Sequence, residues 1–233
     1  MHINNRNLSK KILSWYDNNK RTLPWRISQT HRKKQYYRIL SEFMLQQTQV
    51  KTVIPYFNNF IKKIPSLKAL SNSNEKRVLK LWEGLGYYTR AKNLHKTSKI
   101  LIKRYNGQIP NSFVKLKELP GIGDYTANIL LALIYNQPRV ALDGNVKRVL
   151  SRLDNINTED AVNLFKTKRN GDLAEALMEF GALICKSKDP RCNECQIKKM
   201  CMYFASESKI KFKSKIKIGN FYVIIKILYQ TKS

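Results

Sequence analysis

The chain has 233 residues, 42% of them hydrophobic, and sets 44 Lys and Arg against 16 Asp and Glu for a formal charge of +28. That composition suffices for one large domain or two small ones with a real core, and it excludes an intrinsically disordered chain. The charge points to a polyanionic partner, most simply nucleic acid, although an A/T-rich coding bias is a second source of so much Lys, Ile and Asn.

No apolar run is long enough to cross a bilayer, and the polar start MHINNRNLSKK lacks the apolar centre of a secretory signal. The expected setting is therefore the cytoplasm, where thiols stay reduced or bind metals. In chain order, Leu8, Ile12, Trp15 and Tyr16 fall at helical spacing until TLPWR breaks the pattern. Tyr36, Ile39, Leu40, Phe43, Met44 and Gln47 predict an amphipathic helix whose other face carries Glu42, Gln46 and Gln49. Pro55 and Pro65 bracket a further helix. After the turn GLGYY comes another through Leu94, Ser98, Leu101, Ile102 and Tyr105, ended by Gly107 and Pro110. Asn111 or Ser112 caps the next, which runs into LPGIG, and Asp124 is expected to cap an apolar helix through Ile134. Asp143 precedes a helix carrying Val146, Val149, Leu150 and Leu153, and LAEALMEFGALIC is the last long one. Only the tail differs: KIKFKSKIKI and FYVIIKILY read as strands. The expected class is all-α with a short C-terminal β tail.

All four cysteines lie in CKSKDPRCNECQIKKMC, spaced C-x6-C-x2-C-x5-C through Cys185, Cys192, Cys195 and Cys201. Four thiolates so placed can converge on one metal centre. Spacing alone leaves tetrahedral zinc and a [4Fe–4S] cube open. In LPGIGDYTA, Gly121 and Gly123 allow a tight turn that empties into a helix start, whose N–H groups suit a phosphate. In isolation ALDGNVKRVLSRL is an ordinary turn with Asp143 as N-cap.

Taken together, the cysteine loop, the hairpin, SEFMLQQTQVKTVIPYF, LPWR, GLGYYTRAKNLHK and LDGNVKRV resemble the helix-hairpin-helix DNA glycosylases, typified by endonuclease III and the MutY-type adenine glycosylases. The likeness runs from about Leu8 to about Phe204. It implies two helical subdomains flanking a DNA-binding cleft: a six-helix barrel with the hairpin over 31–136, and an iron–sulfur subdomain from 1–30 and 137–204. Residues 205–233 would be a remnant of a C-terminal domain. It also implies a structural [4Fe–4S] cluster on the four cysteines, with Lys186, Lys188 and Arg191 of its basic loop beside DNA phosphates.

The resemblance assigns Glu42 as catalytic acid and Asp143 as the carboxylate that steadies the cationic sugar, with Tyr125 and Asn145 orienting groups around them. Arg26 and Glu179 would bind the flipped adenine, while Gln47 and Tyr87 would wedge into the stack beside the partner guanine. Bifunctional members carry a lysine nucleophile just after the hairpin. Tyr125 stands there, and a phenol cannot form a Schiff base. The implied function is monofunctional removal of adenine mispaired with guanine or 8-oxoguanine in double-stranded DNA, by base flipping, in a monomer associated with a bacterial nucleoid.

Three departures stand out. ISQTHRKKQYYRILS is longer than the subfamily expects and reads as a basic surface bulge. The stretch from Leu153 to Leu173 is short, and the Nudix-like domain that inspects the oxidised guanine is missing, so a weakened preference for that base is expected. The competing readings are an endonuclease III-like pyrimidine glycosylase and an inactive DNA-binding remnant.

Overall fold

The computed structural model describes residues 5–27, 30–154, 161, 167–206, 216–218 and 221–223. It is helical almost throughout, as the periodicity predicts. The helices are α1 (Asn5–Asn19), α2 (His31–Leu45), α3 (Val50–Lys63), α4 (Leu67–Asn72), α5 (Glu75–Trp82), α6 (Thr89–Tyr105), α7 (Phe113–Lys117), α8 (Asp124–Tyr135), α9 (Gly144–Asp154) and α10 (Asn170–Leu183), with a 3₁₀ turn at Pro24–Arg26. Two short strands in the tail, β1 (Ile216–Ile218) and β2 (Phe221–Val223), pair antiparallel with Lys217 opposite Tyr222.

Local chemistry sets the helix ends. The side chains of Ser66, Asn74 and Ser112 accept the N–H groups of Ala69, Arg77 and Lys115, capping α4, α5 and α7. Asn106 and Asn136 take left-handed conformations that close α6 and α8.

Several expectations need correcting. Pro55 lies inside α3 rather than at its edge. It falls early enough that the carbonyl left without a donor belongs to exposed Lys51, which water can serve. Asp124 is the first residue of α8, not its cap; the capping position is Gly123, and the Asp124 carboxylate pairs with Lys117. The basic stretch after Arg26 is no bulge, because its HRKK forms the exposed first turn of α2. The pair α4 and α5 went unread, being too short for a periodic pattern. Most of the shortened stretch between Leu153 and Leu173, and most of the tail, lie outside the described residues.

The amphipathic helix of the second segment stops at Leu45, so Gln47 is not helical but left-handed, with φ 55°. Arg90 causes the stop. This buried guanidinium donates to the carbonyls of Phe43, Met44 and Gln46 at the end of α2, and to Leu85 and Gly86 in the turn before α6. It also lies 5.3 Å from the ring of Tyr87, which is left-handed like Gly84 and Gly86 of that turn. One side chain thus cross-links two turns that carry unfavourable backbone.

Apolar side chains gather mainly in two clusters. The larger draws on Leu23, Trp25 and α2 to α8, with Trp82, Phe43, Phe57 and Phe60 fully buried. The second joins α1, α9 and α10 with the cysteine loop through Ile197. A small third group, Ile129, Ala132, Leu133, Ala141 and Ala174, seals α8 against α10. Arg90→Met should leave five backbone acceptors short of a donor and cost roughly 2–4 kcal/mol in urea unfolding; an unchanged midpoint would show the two turns to be self-supporting.

Candidate active site

A cleft of about 870 Å³ opens where elements of the two main clusters face each other. Its walls bring together Arg26, Glu42, Gln47, Gly123, Tyr125, Asp143, Asn145 and Glu179, residues spread over most of the chain. Tyr87 does not line it; that ring is 63% exposed on the neighbouring turn. Gly121 sits behind the hairpin with φ 80°, and a Cβ there would meet Phe43 at 2.8 Å, so this position needs glycine. The open face of the hairpin is at Gly123, where added atoms would meet nothing within 4 Å.

Glu42 sits on the inner face of α2 at 8% exposure, rather than on a solvated face, and no hydrogen bond reaches its carboxyl among the described residues. Burial pushes its pKa up to about 7; Arg38 pulls it down, and Glu175 and Asp143 push it further up. A carboxylic acid here keeps its proton near neutrality. Asp143 is treated differently. Its Oδ1 accepts the Val146 N–H at 2.7 Å and its Oδ2 accepts the Asn145 side-chain amide at 3.0 Å. The aspartate therefore caps α9, and the cap orients the carboxylate. Asn145 is held in turn by Arg148, 2.8 Å away, and by the close approach of Gly181, where a Cβ would fall 2.6 Å from that of Asn145.

Tyr125, on the first turn of α8, is held protonated by burial and by the nearby Glu42 and Asp143 carboxyls. Its hydroxyl has only a weak contact with Met178 sulfur at 3.8 Å. Arg26 and Glu179 are occupied with each other at 3.2 Å. They belong to a larger set that the sequence did not reveal. Arg21 forks onto Glu179 at 2.7 and 2.9 Å, while Glu175 accepts from Tyr16 at 2.8 Å, from Arg26 at 2.9 Å and from Arg38 at 2.5 Å. Arg21 precedes a helix-breaking turn and Glu175 sits in an apolar helix, so the one available signal was a glutamate on the buried stripe of LAEALMEFG.

The count of charges around the cleft is informative. Its walls carry three guanidiniums, of Arg21, Arg26 and Arg38, and four carboxyl groups, of Glu42, Asp143, Glu175 and Glu179. Lys51 adds a cation only at the exposed rim. One acid is in excess, and the one without a donor is Glu42.

The cysteine loop stands apart from the cleft. Cys185, Cys192, Cys195 and Cys201 border one hollow together with Arg152, Arg191 and Lys198, and no disulfide joins them. Burial lifts the Cys195 thiol up to about 11, and the other three sulfurs add to the shift. Burial also raises the Cys201 thiol, and a metal bound there would have to displace such protons. Among the described residues no three His, Cys, Asp or Glu side chains are grouped to grip a single ion. Four cysteines around one hollow are a donor set that either a tetrahedral ion or a cluster with one thiolate per metal would use. Arg152 donates to the Lys186 carbonyl at 2.6 Å and approaches Cys185 sulfur at 3.5 Å. Lys188 is exposed, and Arg191 faces Glu194 at 3.6 Å.

The buried acid has a thermodynamic consequence. Between about pH 4.5 and about 7 the folded chain keeps a proton that the unfolded chain loses, so stability falls as pH rises through that window. Glu42→Gln should raise stability at pH 8 by on the order of 2–3 kcal/mol, with the gain fading toward pH 5. Equal stability of the two proteins at pH 8 would show that Glu42 is better solvated than its surroundings indicate.

Comparison with known proteins accords with this geometry. Residues 40–170 match the model of the HhH-GPD superfamily base excision DNA repair proteins. An adenine DNA glycosylase of Buchnera aphidicola subsp. Baizongia pistaciae is 43% identical over 215 residues, covering 88% of this chain and 60% of that protein. Another, from Buchnera aphidicola subsp. Schizaphis graminum, is 38% identical over 238 residues, covering 94% of this chain and 67% of that protein. The chain thus spans about two thirds of these relatives or less. Among solved structures, a thermostable thymine-DNA glycosylase superposes with TM-score 0.77 at 24% identity, over 87% of this chain and 97% of that one. The chain belongs to the HhH-GPD superfamily of base excision DNA repair proteins and has curated adenine DNA glycosylases among its relatives there.

Proposed function

We propose that this protein is a monofunctional adenine DNA glycosylase acting on adenine opposite guanine or 8-oxoguanine. The observation that carries this reading is the meeting of Glu42 and Asp143 in one cleft, the first 8% exposed and without a hydrogen-bond donor among the described residues, the second held by two N–H groups. Adenine within a duplex is out of reach, so the nucleotide must be extruded into the cleft. Its anion is a poor leaving group, and the protonated Glu42 carboxyl supplies a proton to the base at N7 before the glycosidic bond breaks. The sugar left behind is electron-poor, and the Asp143 carboxylate stabilises it, the division of labour between two carboxyls seen in sugar hydrolysis. Glu42, now ionised, helps activate the water that completes the reaction.

Tyr125 and Asn145 keep these groups oriented, and with no amine at Tyr125 base removal ends without strand cleavage. Arg26 and Glu179 would turn their remaining hydrogen-bonding capacity to the flipped adenine, while Gln47 and Tyr87, on the two turns tied by Arg90, would fill the stack beside the partner base. The hairpin at Gly121 and Gly123, with Lys186, Lys188 and Arg191, would hold phosphates of double-stranded DNA.

The two apolar clusters are best read as the cores of two subdomains, with Leu23 and Trp25 going to the larger. The four cysteines would hold a [4Fe–4S] cluster whose contribution is structural, fixing the basic loop. A bacterial cytoplasm, at the nucleoid, is the setting this reading supposes. No described helix is long and apolar enough to cross a membrane.

Incubating the protein with a duplex holding one A opposite G or 8-oxoguanine, then adding hot alkali, should reveal an abasic site. Glu42→Gln should abolish that release while leaving duplex affinity near normal, and the wild-type rate should decline as pH rises through about 7. Release by the Glu42→Gln protein would remove Glu42 as the acid. Freshly purified protein should be coloured and contain iron and acid-labile sulfide in equal amounts; zinc alone would refute the cluster. Cys195→Ser should bleach the colour and lower the unfolding temperature.

A further inference from the structure

Arg38 stands four residues before Glu42 on α2, the spacing at which arginine and glutamate side chains meet and pair on a helix. Both line the cleft, yet they do not pair. Arg38 instead sends Nη1 to Glu175 on α10, at 2.5 Å. Glu175 is 6% exposed and also accepts the Tyr16 hydroxyl and the Arg26 guanidinium. Arg38, at 8% exposure, has its Nε buried without a hydrogen-bond partner. A cation with a donor to spare is thus held one turn from the acid by a carboxylate that belongs to another helix.

We propose that Glu175 is a positioning residue for the glycosylase reaction: by taking Arg38 as its own ion-pair partner, it keeps a permanent cation off Glu42 and leaves Glu42 able to carry the proton that base release consumes. The proposal rests on the reading of Glu42 as proton donor. The charged and titratable groups acting on Glu42 are Arg38 on α2, Arg26 on the 3₁₀ turn, Tyr125 on α8, Asp143 ahead of α9 and Glu175 on α10, with Lys51 of α3 at the exposed rim of the same cleft. Arg38 is the strongest charge among them and favours the ionised acid, while Glu175 is the next and opposes it. Without Glu175, Arg38 and Arg26 would act on Glu42 with only Asp143 opposing them. Arg38, losing its partner, would find Glu42 within reach at the favourable spacing. Tyr16 and Arg26 would still have their apolar and Glu179 contacts, so the wall need not collapse.

The test is the pH dependence of single-turnover base release from an A:8-oxoguanine duplex, from about pH 5 to about pH 9. Wild type, Glu175→Gln, Arg38→Met, the double variant and Glu42→Gln would be compared. Glu175→Gln should move the alkaline limb down by about one pH unit or more, with the acid plateau kept within about threefold. Arg38→Met should move the limb upward, and the double variant should return it to within about half a unit of wild type. A limb unmoved in Glu175→Gln, or a loss uniform across pH, would show that Glu175 is only structural. Should that variant not fold, an unmoved limb in Arg38→Met overturns the proposal by itself. An active Glu42→Gln protein would sink the underlying reading of Glu42, whatever the other profiles show.

Discussion

The site depends on gathering one more carboxyl group around the cleft than there are guanidiniums to meet it. Glu175 and Glu179 sit among Arg21, Arg26 and Arg38, and Asp143 is met by the first N–H groups of α9 and by Asn145. Burial makes ionising a fourth carboxyl in that space costly, and the pull of Arg38 and Arg26 does not offset it, so Glu42 stays protonated to about neutral pH. This is a cost to the fold that an uncharged side chain would not incur. The apolar clusters on either side offset it, since each fully buried Phe or Leu contributes about 1.5–3 kcal/mol.

The arginines of this chain are used in two physically different ways, and the lysines in a third. Arg21, Arg26 and Arg38 answer carboxylates through charge-assisted hydrogen bonds: Arg21 forks onto Glu179, Arg26 reaches Glu175 and Glu179, and Arg38 donates once to Glu175. Arg90 meets no acid; it satisfies the carbonyls at a helix end and lies across aromatic rings. Only a planar group with five donors can do that. The lysines of the α2 and cysteine-loop surfaces stay mostly in solvent, which is where a polyanion would find them. The high formal charge thus says little about the cleft, whose own charges nearly cancel.

The cysteine loop and the cleft are distinct but mechanically joined. Arg148 bonds Asn145 on one side and the carbonyls of Gly181 and Cys185 on the other. One turn further along α9, Arg152 bonds the Lys186 and Ser187 carbonyls and lies 4.5 Å from the Tyr203 ring. A helix that presents Asp143 at its start therefore anchors the cysteine loop along its length. Any group that stiffens the loop also stiffens the support behind that carboxylate.

Much was legible in the sequence because it is written in local patterns. Helical spacing of apolar residues announced α1, α2, α6, α8, α9 and α10, the glycine pair announced the hairpin, and the cysteine spacing announced a loop that gathers four thiols around one hollow. Asp143 as a cap needed only the residues that follow it. The sequence by itself thus determined a chain that is helical but for a short β tail, and its family resemblance singled out Glu42 and Asp143 as the carboxyls to look for. The tertiary structure decided the rest: that Glu42 faces the cleft at 8% exposure, that Arg38 turns to Glu175 instead of to Glu42, and that α2, its last carbonyls taken by Arg90, stops two residues short of Gln47. Those are contacts across 47 to 137 positions of chain or charge balances within a cavity. Periodicity reports which face of a helix is apolar, but it carries no information on which distant polar group that face will meet.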